Sequence, residues 1–185
     1  FVSPEFVPLG TTLACAELIR SGVTAFADMY YFEDEVAEAT AEAGLRAVCC
    51  QTILKFPSPD AKTYEEALTA AERLIKKWQG HALIPPAVAP HAAYTATTDI
   101  LQSATALAQR HDVPLHIHVS ETAQEVEDSI EAHNMPVVPY IKKQDILSAK
   151  VIAAHCVHID EGEMHTLMHH QTGVAHNPTS NLKLS

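Results

Sequence analysis

The sequence predicts an α/β fold of parallel strands, and within that class a partial (β/α)8 barrel. Three observations carry this. Apolar, β-branched runs alternate with helical patterns five times, which calls for parallel pairing and right-handed crossovers. Polar, chemistry-bearing residues close strand after strand, as on a barrel rim, whereas a doubly wound sheet gathers its site at one switch point. No glycine-rich phosphate loop follows any strand.

The elements follow in chain order. Residues 11–21 place Leu13, Ala14, Leu18 and Ile19 at helical spacing and stop before Gly22. Residues 23–29 read as a strand, 33–43 as an acidic, Ala-rich helix halted by Gly44, and 46–53 as a second strand. After a proline-containing loop at 56–60, residues 63–79 form a long amphipathic helix with Leu68, Ala71, Leu74, Ile75 and Trp78 inward, Trp78 as core rather than as a stacking platform. A strand at 83–90 runs into His91. The next helix covers 97–110 with Thr97 or Thr98 as N-cap. Residues 115–120 are a strand, and 122–132 its helix, where Thr122 and Glu125 match a capping box. Residues 136–150 hold a short helix and a loop. A strand at 151–157, a helix at 161–170 and a strand at 173–177 complete the series, the last entering Pro178-Thr179-Ser180-Asn181.

Six strands are two short of closure, and a complete barrel needs roughly 250 residues. We therefore expect residues 1–185 to be the central part of one barrel domain whose first and last strands lie outside them; the opening helix without a strand before it and the lack of an initiator Met agree.

Composition narrows the function. The chain is 47% hydrophobic and 19% charged, enough for a substantial core. Its net charge of −11 comes with scattered basic residues, so it offers no footprint for nucleic acid. No run approaches a membrane span and no signal peptide is visible. Cys49 and Cys50 are adjacent on a strand and point apart, and Cys15 and Cys156 are distant, which reads as reduced thiols in the cytoplasm. The implied partner is a small-molecule substrate; a homo-oligomer is compatible with all of this. Of the twelve histidines, His111, His133, His165, His169 and His170 fall on helical surface segments and are expected to face solvent.

The stretch 115–121 is the most informative. Strand alternation puts Leu115, Ile117 and Val119 on one face and His116 and His118 on the other. Glu121 follows where the strand ends. A His pair on a sheet and a Glu at a helix start both occur for purely structural reasons. Here the pattern repeats at other strand ends: His91, His155 with His158, and His176 with Asn177. Imidazole beside a carboxylate suits a metal-bound water with an acid/base next to it. His116, deeper on its face, reads as structural; His158 and His176 stay open, and Asn177 and Asn181 read as rim braces through Asx-type turns.

His118-Val119-Ser120-Glu121, Ala153-Ala154-His155-Cys156-Val157-His158 and the run from His176-Asn177-Pro178 through Asn181-Leu182-Lys183-Leu184 resemble the amidohydrolase superfamily. Within it they resemble the branch of 5′-methylthioadenosine/S-adenosylhomocysteine deaminases and their chlorohydrolase and guanine deaminase relatives. Ala27-Asp28-Met29-Tyr30 and Ala89-Pro90-His91 extend the likeness over essentially the whole chain. The resemblance implies a metal-dependent hydrolase TIM barrel holding one divalent metal ion, usually Zn2+. It makes His118 a metal ligand, the remaining ligands lying outside this chain. Glu121 becomes the proton shuttle, which also contacts substrate, His155 a catalytic residue hydrogen-bonding the attacking hydroxide, and His91 a substrate-binding residue. Metal lowers the pKa of bound water to about 7, and a single carboxyl in reach can protonate first a ring nitrogen and then the departing amine. The implied activity is hydrolytic deamination of an aminopurine nucleoside; the alternatives are another ring deaminase or dechlorinase acting on guanine or s-triazines, or an inactive barrel fragment. The strand ending Val88-Ala89-Pro90-His91 has no lysine, which argues against a two-metal site. Gln51 stands where some adenosine-type deaminases carry arginine, leaving carboxylate recognition open.

Overall fold

A computed structural model describes residues 2–184, which form two compact units, the first reaching to Ala89 and the second beginning at Pro90. In the first unit, α1 (Phe6–Arg20) leads to β1 (Ala25–Tyr30), α2 (Glu33–Ala43), β2 (Arg46–Ile53), α3 (Tyr64–Trp78) and β3 (Pro86–Pro90), whose last residue opens the second unit. β1 and β2 pair in parallel, from Ala25 opposite Arg46 to Tyr30 opposite Gln51.

Three boundaries depart from the sequence expectation for local reasons. α1 starts five residues early, because Ser3 receives the Phe6 amide and Pro8 falls in the first turn, where a missing N–H costs nothing. β1 starts two residues late: the Val23 amide is spent on Leu18 O behind a left-handed Gly22. β3 starts three residues late, since the Leu83 and Ile84 amides turn to the His81 ring and Pro85 and Pro86 have none to give. α2 and β2 have the expected bounds.

The first unit closes over Val36, Ala37, Ala47, Cys49, Leu74, Trp78 and Ile84. Trp78 is core, as expected, with its indole N–H donating to Asp34 Oδ1 at 2.7 Å. On α3, Ala67 rather than Leu68 completes the buried face; Leu68 is half-buried. Glu33 is fully buried at the start of α2, and its two oxygens accept from the Tyr30 amide at 2.8 Å and the Cys50 amide at 3.0 Å, clamping the ends of β1 and β2. Burial, then the neighbouring Asp28 carboxyl, raises its pKa well above the usual range. Gln51 is buried and its amide is spent on Asp60 Oδ2 at 2.9 Å.

The second unit contains α4 (Thr98–His111), β4 (Leu115–Val119), α5 (Ala123–His133), α6 (Val137–Lys143), a 3-10 turn at Ile146–Ser148, β5 (Val151–His155), α7 (Glu161–His169), β6 (Gly173–Ala175) and α8 (Pro178–Leu184). β4 pairs in parallel with β5, Leu115 opposite Val151 through Val119 opposite His155, and β5 with β6. Leu115, Ile117 and Val119 are fully buried, each contributing about 1.5–3 kcal/mol by leaving water. Thr97 is the N-cap of α4, accepting from Ile100 N. β5 ends two residues early because His155 and Cys156 take positive φ, 74° and 52°. β6 ends early too, and the segment after it, to which the sequence pattern assigns no element, is the short helix α8, with Pro178 in the first position.

Of the five histidines expected at the surface, His133, His165 and His169 are exposed. His111 and His170 are half-buried, the latter with Nδ1 3.1 Å from Leu147 O. The four cysteines are free thiols. Among the described residues no helix is long and apolar enough to cross a membrane.

Candidate active site

All of the residues that converge lie in the second unit. β4 does as its alternation requires, with Leu115, Ile117 and Val119 in the core and His116 and His118 on the opposite face. The His118 backbone N–H donates to His91 O at 3.0 Å, and Ala92 bridges to His118, so the residues after β3 are stitched alongside β4. His118 Nδ1 lies 2.8 Å from the same His91 carbonyl. A carbonyl only accepts, so this contact fixes the proton on Nδ1 and leaves the Nε2 lone pair free.

The ring centroids of His91 and His118 are 4.7 Å apart, and those of His118 and His155 5.4 Å. His91 contacts Thr95 Oγ1 through Nδ1 at 2.8 Å and meets Tyr94 edge-on. Burial, then the neighbouring His118, lowers its pKa to about 4. His116, 5% exposed, is likewise lowered to about 4 by burial, with His118 and His155 adding, and its Nδ1 has no hydrogen-bond partner among the described residues. Burial lowers His118 as well, against the opposing hydrogen bond to His91. These three rings are therefore neutral at pH 7, the form in which imidazole binds metal.

Glu121 Oε1 stands 3.2 Å from His155 Nε2. On the far side of that ring, His155 Nδ1 lies 2.7 Å from Asn181 Oδ1, on α8. Glu121 is itself held from behind. Its backbone N–H donates to Glu125 Oε2 at 2.7 Å, while the Glu125 amide donates to Thr122 Oγ1 at 3.1 Å. Half of the expected capping box is thus present, and its other half is redirected: the Glu125 carboxylate takes the amide of Glu121 instead of that of the Thr122 cap. A reciprocal capping box forms at Asp160 and Glu163 instead.

Two strand ends bend sharply to build this arrangement. Ser120 has φ 49° and follows β4; His155 and Cys156 are also in positive φ. The Ser120 carbonyl accepts the amides of Val157 and His158, and the Val119 carbonyl that of Cys156. The structure thus brings His91, His118, Glu121 and His155 together. It leaves His158 and His176 exposed, His176 within 3.5 Å of Asn181 Nδ2. Thr95, the reach of the Glu125 carboxylate to the Glu121 amide and the bond from Asn181 to His155 go beyond what the sequence indicates. The chain matches the amidohydrolase family model over residues 1–185. It belongs to the amidohydrolase family.

Relatives within this amidohydrolase group are similar along the whole chain. A 5-methylthioadenosine/S-adenosylhomocysteine deaminase of Thermodesulfovibrio yellowstonii is 43% identical over 185 residues, covering 100% of this chain and 42% of the relative. A 5'-deoxyadenosine deaminase of Methanothrix thermoacetophila is 42% identical over 184 residues, again covering 100% of this chain and 43% of the relative. A solved adenosine deaminase from Xanthomonas campestris with bound zinc superposes with a TM-score of 0.95 at 35% identity, over 100% of this chain and 42% of that one. The chain therefore spans about two fifths of the length of these relatives. Its six parallel strands with their helices have the α/β architecture of the amidohydrolase TIM barrel.

Among the described residues no three His, Cys, Asp or Glu side chains stand where together they hold a metal ion. His118 has the chemistry a ligand needs: burial favours its neutral ring, and its Nδ1–H is anchored on a carbonyl, which leaves Nε2 to face an ion.

Proposed function

We propose that this chain supplies part of the catalytic half of a divalent-metal hydrolase that deaminates an adenosine-type nucleoside such as 5′-methylthioadenosine or S-adenosylhomocysteine. We take residues 1–185 as the central part of the barrel domain, His118 as one zinc ligand with the others elsewhere in the enzyme, and the cytoplasm as its compartment. The observation that carries the reading is the 3.2 Å contact of Glu121 with His155 beside a His118 ring whose Nδ1 is already committed. The names of relatives at 42–43% identity support the substrate class.

Hydrolytic deamination exchanges the exocyclic amino group of a purine for an oxygen from water and releases ammonia. A bound divalent ion would supply a water that ionises near neutral pH. Glu121 takes a proton from the attacking water and passes it to the adjacent ring nitrogen, then carries the proton of the hydroxyl newly bonded to the ring carbon to the amine, which departs as ammonia as the C–N bond breaks and the carbonyl forms; this needs one carboxyl within hydrogen-bond reach of all three atoms. His155 orients that carboxyl and the attacking water from the other side. His91, neutral and next to Tyr94 at the edge of the cluster, contacts the purine or its sugar.

The test is ammonia release by the intact enzyme across a panel of 5′-methylthioadenosine, S-adenosylhomocysteine, adenosine, guanine and an s-triazine. Turnover confined to the nucleosides is expected. Turnover of guanine or the triazine alone would move the assignment to those relatives, and no turnover of any of them would remove it.

A further inference from the structure

We infer that Asn181 is a positioning residue for His155: it holds the imidazole as the Nδ1–H tautomer and so aims the Nε2 lone pair at Glu121. The observation is the contact of 2.7 Å between His155 Nδ1 and Asn181 Oδ1. An amide oxygen carries no hydrogen, so this bond exists only with the proton on Nδ1. The amide stands with Oδ1 on His155 and Nδ2 towards His176 Nδ1 at 3.5 Å; a reversed amide would require the opposite tautomer of both rings, which the spectra below distinguish.

Three further features make this bond more than a rim contact. His155 is 6% exposed, so water does not compete freely for its ring. Its backbone has φ 74°, a conformation that non-glycine residues rarely adopt, so the ring's direction depends on what grips its two nitrogens. Those grips are Asn181 on one side and Glu121 Oε1, 3.2 Å away, on the other. With Nδ1–H spent on Asn181, Nε2 and Glu121 Oε1, both acceptors when bare, meet at 3.2 Å with one proton between them, carried by the carboxyl or by the ring. The opposite tautomer would fix an N–H permanently against the carboxylate and leave Asn181 unpaired. α8 thus contributes to the site from a segment that is otherwise mostly exposed.

Only the kinetic arm of the test rests on the deaminase reading. The first arm records 15N spectra of histidine-labelled intact enzyme without metal, at a pH where the neutral ring dominates. His155, assigned by its loss in His155→Gln, should show a protonated Nδ1 and a bare Nε2. Asn181→Leu, which removes the acceptor, should move the ring towards the Nε2–H form, and Asn181→Asp, which keeps an oxygen there, should not. A wild-type ring protonated on Nε2, or an Asn181→Leu ring unchanged from wild type, would overturn the inference; the wild-type spectrum decides even where the Leu variant does not fold. In the second arm, Asn181→Leu should lower kcat about 10- to 100-fold with KM little changed, and Asn181→Asp should recover most of it. An equal loss in both variants, or a loss in KM alone, would also overturn it. Failure of the substrate assignment would leave the tautomer result standing.

Discussion

Replacing Glu125 with alanine tests how the proton-carrying residue is held. Glu125 is 7% exposed, and its Oε2 receives the Glu121 backbone N–H at 2.7 Å. A hydrogen bond to a charged acceptor contributes about 1.5–3 kcal/mol in gross terms. Against this stands the cost of burying the carboxylate, which is the largest cause of its raised pKa and is relieved by the substitution. The N-cap bond from Glu125 N to Thr122 Oγ1 involves only backbone at position 125 and survives. The expected net loss is about 1–2 kcal/mol, read as a shift in the urea midpoint at unchanged m-value. Glu125→Gln keeps one acceptor oxygen and should lose less, about 0.5–1 kcal/mol. Because the Glu121 amide is released, its side chain should drift from His155, and a displacement near 1 Å lowers turnover by up to about 100-fold. We expect kcat to fall at least 10-fold in the alanine variant, with KM within a factor of a few. A variant destabilised by the stated amount yet with wild-type kcat would refute the claim that this bond places Glu121; a variant as stable as wild type would refute the estimate.

Three other outcomes are expected. Glu33 binds its proton more tightly folded than unfolded, since burial and then Asp28 oppose its charge; above the ordinary carboxylate value of 4.5 the folded state holds more protons, and stability falls as pH rises through the folded pKa. Glu33→Gln should flatten that decline in a series of urea melts, while losing about 1–3 kcal/mol at acidic pH because one of the Tyr30 and Cys50 amides loses its acceptor; a wild-type profile already flat from weakly acidic to alkaline pH contradicts this. Glu121→Gln should reduce kcat by about 100- to 10,000-fold with an unchanged circular dichroism spectrum, and retention of more than a tenth of the rate would rule Glu121 out as the proton carrier. His118→Ala should lower the zinc content of the purified intact enzyme, measured by elemental analysis, and chelation of the wild type should abolish a turnover that added Zn2+ restores; full zinc in the variant would exclude His118 as a ligand.

The fold was legible because period-2 and period-3.6 patterns are local. β2, α2 and the heart of β4 have the expected bounds, and Thr63, Thr97 and Thr122 cap their helices as their chemistry suggests. What was misplaced turned on a few backbone amides: Val23 serving a helix end, Leu83 and Ile84 serving the His81 ring, His155 leaving the strand. The convergence of His91, His118, Glu121 and His155 was legible because each stands at or just past a strand's carboxyl end, and alternation fixes the face of His118. Glu125 was mistaken for a simple cap: Thr122 and Glu125 at that spacing look the same whether the carboxylate returns to residue 122 or reaches residue 121. Asn181 was read as a rim brace because nothing local tells that the chain after Pro178 coils back as a helix and presents position 181 to a ring 26 residues earlier.

The left-handed turns explain why this cluster forms at all. A strand that continued straight through Ser120 and His155 would carry residues 121 and 156 onward by about 3.3 Å each and send alternate side chains to opposite faces. Positive φ at Ser120, His155 and Cys156 breaks that alternation just where Glu121 must turn towards the His155 ring. Each such turn by a non-glycine residue costs of order 1–2 kcal/mol. The cost is offset locally, since the Ser120 carbonyl collects the amides of Val157 and His158 and the Val119 carbonyl that of Cys156, so the two bent strand ends hold each other. Glycine at any of the three positions would remove the steric cost, but it would also free the chain on which the contact between Glu121 and His155 depends. The strained residues and the reactive ones are therefore neighbours for one reason: a parallel strand points a carboxylate and an imidazole at each other only by ceasing to be a strand.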